Sequence, residues 1–137
     1  MAAQKKDGLT AALEQMPSGI YLPPNARKSA MRVIVDATAF ADDQIDQLVE
    51  QFALMQLHFP YVKPIFLISA MAPGALSAAG FMYETVTPEA TWRDLAAPGT
   101  YREYKERRVV EMLNTYQANR VHVQEPSSRI PRWLYER

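Results

Sequence analysis

Cysteine is absent from the 137-residue chain. That excludes a disulfide framework, thiolate catalysis and any cysteine-ligated metal. Histidine is nearly absent: only His58 and His122 occur, far apart in the chain. Their spacing supports neither a zinc site nor a histidine–serine triad. Glycine is scarce, with five in all, and there is no P-loop pattern. Neither sign of charge dominates, since fifteen Lys and Arg face fifteen Asp and Glu. No whole-molecule field therefore draws in nucleic acid or an anionic membrane, and neither is expected as a partner. No apolar run approaches the roughly 18 to 20 residues that span a bilayer. The opening Met-Ala-Ala-Gln-Lys-Lys-Asp-Gly has no apolar core of the kind a signal peptide needs. The cytoplasm is the expected compartment.

What is present is a globular composition, 48% hydrophobic and 22% charged, in a length suited to one domain. Residues 1–27 read as an N-terminal arm. A short helix over 1–16 carries Leu9, Ala12, Leu13 and Met16 on one stripe, and a proline-rich linker follows. The domain proper is expected over 28–125, and 126–137 form a C-terminal tail ending in Ile130, Trp133, Leu134 and Tyr135.

Within the domain, Met31–Asp36 and Pro64–Ile68 are continuous apolar runs, the pattern of strands buried on both faces. Between them, Ile45, Leu48, Val49, Phe52, Met55 and Phe59 recur at helical spacing and predict a helix over about 42–58, stopped by Pro60. Asp42 or Asp43 would cap it. A short helix over 73–79, a strand over 81–86, a helical turn carrying Trp92, a long helix over 100–118 and a strand over 120–123 follow. The alternation predicts an α/β fold: a short, mostly parallel, Rossmann-like sheet of about four strands, with helices on both faces. Right-handed crossovers give the strand order 3-2-1-4.

Open parallel sheets hold ligands beyond the carboxyl ends of their strands. The residues expected there are Asp36, Thr38, Ser69, Thr85, Thr87 and Glu125. Asp36, Thr38, Ser69 and Glu125 are the candidates for binding a small polar or nucleotide-type ligand. Asp36 alternatively takes hydrogen bonds from its own loop, as Asp does in turns. The loop from Asp36 to Asp43 contains no glycine, which argues against a dinucleotide phosphate. The acids Asp36, Asp42, Asp43 and Asp46 match no calcium loop, and capping explains most of them, so no metal site is expected. No particular cofactor is indicated. Arg102, Lys105, Arg107, Arg108 and Arg120, interleaved with Tyr101 and Tyr104, read as a solvated helix face with pairs Glu103–Arg107 and Arg107–Glu111.

Two resemblances add expectations. Asp36-Ala37-Thr38 after Val33-Ile34-Val35, with Ser69 closing Ile65–Ile68, resembles the first two motifs of haloacid-dehalogenase-type phosphatases. That resemblance implies Asp36 as a nucleophile toward phosphate or a magnesium ligand, Ser69 as a phosphate contact, and Lys105 as the candidate for the family's lysine. Thr38 stands where that family has its second acid. No paired-acid motif follows a later strand. The alternating strands and helices of residues 31–124 also look like the N-terminal half of a GT-B type glycosyltransferase. In that family the nucleotide-sugar contacts come mostly from the second domain, so the resemblance implies an acceptor-side half. Three readings result: a ligand-binding Rossmann-like domain, a magnesium-dependent phosphoester enzyme using Asp36, and a homo-oligomeric scaffold joined through the arm, tail or sheet edge.

Overall fold

Three β-branched residues in succession, Val33, Ile34 and Val35, occupy the middle of the first strand and have no solvent exposure. A computed structural model describes residues 30–71, 73–95 and 98–136. The expected N-terminal arm and its helix lie outside the described residues. The strands are β1 (Met31–Asp36), β2 (Val62–Ile68), β3 (Met82–Thr85) and β4 (Arg120–Val123). All pair in parallel, in the order β3-β2-β1-β4. The helices are α1 (Ile45–His58), α2 (Gly74–Ala78), α3 (Glu89–Asp94) and α4 (Tyr101–Tyr116). The α/β fold with its four-stranded parallel sheet is thus as the sequence pattern predicts.

Register divides the side chains between two faces. Val33, Val35, Phe66 and Ile68 point to the face covered by α1 and α2, where Leu48, Phe52, Met55 and Leu76 pack on them. Phe66 lies edge-on to Phe52 at 5.0 Å and to Phe81 at 5.4 Å. Ile34, Ile65 and Leu67 point to the other face, where Met112 of α4 packs beside Val109 and Leu113. That second face carries one long helix. A helix with its side chains is about 10 to 12 Å across, narrower than four strands spaced about 4.8 Å apart. The helix α4 covers β1 and β2, and the valines of β4 on that face stay open: Val121 is 41% and Val123 56% exposed.

Local chemistry accounts for the boundaries, with some departures from expectation. Pro64 lies third in β2 instead of first, opposite Val33. The β3 ladder starts one residue later, at Ile65, so a missing donor on that side has no partner to lose. Helix α1 is entered through a 3-10 turn, Asp42–Gln44, after Ala41, and Gln44 Oε1 accepts the Ala41 N–H at 2.9 Å. Neither aspartate caps it. Asp42 Oδ1 instead accepts the Met71 N–H at 2.6 Å, tying the first loop to the one after β2. Gly80 takes positive φ just past α2, as its place predicts, whereas α4 ends on Gln117 with φ of 53°. Leu54 and Leu57 of α1 remain exposed.

The tail docks on its own domain. A 3-10 turn, Arg132–Leu134, buries Leu134 fully in the α1 face, and Tyr135 stacks on Phe59 at 4.3 Å. Among the described residues, no helix is long and apolar enough to cross a membrane.

Candidate functional site

The alternation that buries Val33 and Val35 under α1 turns Asp36, the last residue of β1, toward α4. Its carboxylate is nearly enclosed, with 7% of the residue exposed. Oδ1 accepts the Thr38 N–H at 3.0 Å and the Thr38 hydroxyl at 2.7 Å. Oδ2 faces the Lys105 ammonium at 3.2 Å. The same ammonium donates to Thr38 Oγ1 at 2.9 Å. Asp36 therefore binds its own loop, as aspartates in turns do, and also holds a cation from a helix 69 positions further on, 105 − 36.

The other candidates are placed as follows. Thr38 is in the cluster. Ser69 is close by, but its hydroxyl donates to the Thr38 carbonyl at 3.0 Å and so fastens the loop after β1 to the end of β2. Glu125 is exposed. Its neighbour Gln124 is buried and donates its backbone N–H to the Asp36 carbonyl at 2.9 Å. Thr85 is exposed, and its carbonyl accepts from Arg108 at 3.3 Å. Thr87 anchors α4, donating its N–H to the Tyr104 hydroxyl at 3.1 Å and accepting from the Tyr101 hydroxyl at 2.7 Å.

Lys105 is the residue that a solvated-face reading of α4 misplaces. Its signal is positional: Tyr101, Lys105, Met112 and Tyr116 fall on one helical stripe, so a lysine interrupts the buried face. The expected pairs Glu103–Arg107 and Arg107–Glu111 give way to others. Glu103 forms a capping box with Thr100, accepting its N–H at 3.0 Å, and that bond holds the Glu103 carboxyl below its ordinary range. Arg108 reaches across to Glu84 at 2.9 Å.

Beside Asp36 opens a cavity of about 510 Å³. Asp36, Lys105, Arg102 and Glu106 supply its polar lining, and Val109, Val110, Val121 and Val123 its apolar walls. Its position follows from the register: Val123 pairs with Asp36 and Val121 with Ile34, so both valines share the face of Asp36 that α4 leaves bare. The size is in the range that takes small molecules, about 300 to 1,000 Å³. Ser69 and Glu125 do not line it.

Aromatic hydroxyls pin α4 over this edge. Burial, with the neighbouring Tyr104, Glu89 and Asp36, pushes the Tyr101 hydroxyl up to about 12. Burial and a hydrogen bond to Glu84 at 2.7 Å do the same for Tyr116, also to about 12. Both groups are favoured neutral by the fold. Their contribution is complete below the ordinary tyrosine value of 10 and is lost as pH rises from about 10 through about 12. Denaturation midpoints should fall over that interval, and spectrophotometric titration should show these two phenols ionising late. Two tyrosines fewer in the late phase of a Tyr101→Phe, Tyr116→Phe variant would assign them.

No family model, no curated protein and no solved structure matches this chain.

Proposed function

We propose that this domain binds a small polar or nucleotide-type ligand in the groove between α4 and β4, anchored at Asp36 and Lys105. The observation that carries the reading is the cavity at the carboxyl end of β1, which sets the Asp36–Lys105 pair, with Arg102 and Glu106, against four valines. Ligand cavities generally combine apolar walls with a few convergent polar groups. The GT-B resemblance suits the same place, where the N-terminal half would receive an acceptor. A thermal-shift screen with nucleosides, nucleotides and sugar nucleotides tests the reading. A ligand at a hundred times its Kd raises stability by about 2.7 kcal/mol. Asp36→Asn should abolish that rise; a rise unchanged by the substitution places the ligand elsewhere.

The phosphoester reading gains one contact, the Lys105 ammonium on Asp36, where that resemblance wants a lysine. Magnesium does not fit the residues there. Asp36 Oδ1 is bonded twice, Oδ2 faces an ammonium, and the described residues contain no group of three His, Cys, Asp or Glu that could hold a metal ion. Hydrolysis of p-nitrophenyl phosphate by the intact chain, lost in Asp36→Asn, would favour this reading over simple binding.

A further inference from the structure

The charges around the groove cancel in pairs. Lys105 faces Asp36 at 3.2 Å, and Arg102 faces Glu106 at 3.0 Å. No net field remains to attract an anion. A phosphate reaching Lys105 would lie beside the Asp36 carboxylate, which faces that ammonium at 3.2 Å, and like charges that close repel. The hydrogen-bonding capacity left over points to a different ligand. A carboxylate offers about four acceptor sites; among the described residues, Thr38 fills two and Lys105 one, all three accounted for by contacts of 2.7 to 3.2 Å. One acceptor site stays open on Oδ2. An ammonium has three protons, of which Asp36 and Thr38 Oγ1 take two. Among the described residues, an acceptor site on Oδ2 and a donor of the ammonium, which otherwise stands only over the Tyr101 ring at 6.0 Å from its centre, are thus left side by side on atoms 3.2 Å apart.

Resting on the groove reading above, we propose that the ligand meets Asp36 and Lys105 with uncharged hydroxyl groups and lays an apolar, flat body against Val110, Val121 and Val123. A hydroxyl both donates and accepts, so one hydroxyl, or two on adjacent carbons, satisfies the open pair without breaking it. The three valines are 55%, 41% and 56% exposed, and a flat ring lying on them removes that apolar surface from water. Nucleosides and aromatic glycosides share this chemistry, a sugar diol joined to a planar ring.

The experiment uses the full chain with labelled valine methyls, observed by NMR during titration with adenosine, uridine, p-nitrophenyl β-glucoside, AMP or inorganic phosphate. The expected result is saturable shifts of the Val110, Val121 and Val123 methyls with a nucleoside or with the glucoside. The arm that responds identifies the source, and AMP binds no tighter than adenosine. Asp36→Asn weakens that binding by about tenfold or more, the scale of a lost charged hydrogen bond. Val110→Trp fills the groove from an exposed helix position and abolishes the shifts while the remaining methyl spectrum stays folded. Saturation by inorganic phosphate, with neutral ligands silent, overturns the inference and leaves the groove reading standing. Silence toward all five, or methyl shifts that depend on protein concentration alone because a second copy covers the groove, overturns both.

Discussion

Lys105→Met is expected to destabilise the domain by about 2 to 3 kcal/mol, read as a lower denaturation midpoint with an unchanged slope. The methionine keeps an unbranched apolar stem of similar length and removes the ammonium. Asp36 then retains its two bonds from Thr38 and loses the ammonium paired with it. Breaking a buried ion pair from one side typically costs about 3 to 5 kcal/mol, because a carboxylate is left in a poorly solvated place. The Lys105 side chain is 27% exposed against 9% for Asp36, so water partly screens the pair and the lower figure applies. Asp36→Asn reverses the asymmetry by leaving the ammonium, which can turn toward solvent, and should cost less. The double variant should be more stable than the two single costs predict when added, by about 1 kcal/mol or more. Additive costs would mean that the two groups do not act as a pair in solution.

The location of this pair shows what a single sequence can carry. The end of β1 was legible because three β-branched residues followed by Asp36 make a buried strand with a polar terminus, and parallel sheets hold their ligands there. The strand order followed from four apolar runs and right-handed crossovers. What the pattern could not supply was the lateral placement of α4. A hydrophobic stripe shows that a helix packs, but not which strands it covers. That placement turns Lys105 onto Asp36 and leaves Val121 and Val123 bare. Ser69 and Glu125 illustrate the same limit from the other side. Both are polar residues at strand ends, yet Ser69 spends its hydroxyl on the Thr38 carbonyl, and Glu125 lies outside the cavity while Gln124 beside it is buried. The place of Asp42 and Asp43 before the periodic run predicts that one of them caps the helix, yet neither does, and Asp42 accepts the Met71 N–H. Asp42 thus serves a loop that is distant in sequence, and no local rule reports that contact.

The tail offers an effect of similar size through a different mechanism. Leu134→Ala is expected to destabilise by about 3 kcal/mol, within the 2 to 5 kcal/mol range for a fully buried leucine. Leu134 has no solvent exposure and packs in the same cluster as Phe52 and Phe66. The turn that presents it is held from both sides: Tyr61 donates its hydroxyl to the Tyr135 carbonyl, and Arg120 donates to the Trp133 carbonyl at 3.0 Å. That frame resists collapse into the space left by the lost methyl groups, which keeps the cost from falling to the bottom of the range. Trp133, 46% exposed and touching His122 edge-on, should cost about 1 to 2 kcal/mol on replacement by alanine, less than Leu134, since about half of its surface stays in water. The contrast also bears on the scaffold reading. A tail seated on its own domain makes the Leu134→Ala loss independent of protein concentration. A tail exchanged between copies makes the loss shrink or grow with concentration, because each molecule of partner then contributes to stability. Measuring the variant's midpoint across a hundredfold range of concentration, alongside sizing of the chain cut at Pro126, separates the two arrangements, and the packing of Leu134, Tyr135 and Ile130 on the chain's own α1 face predicts the first.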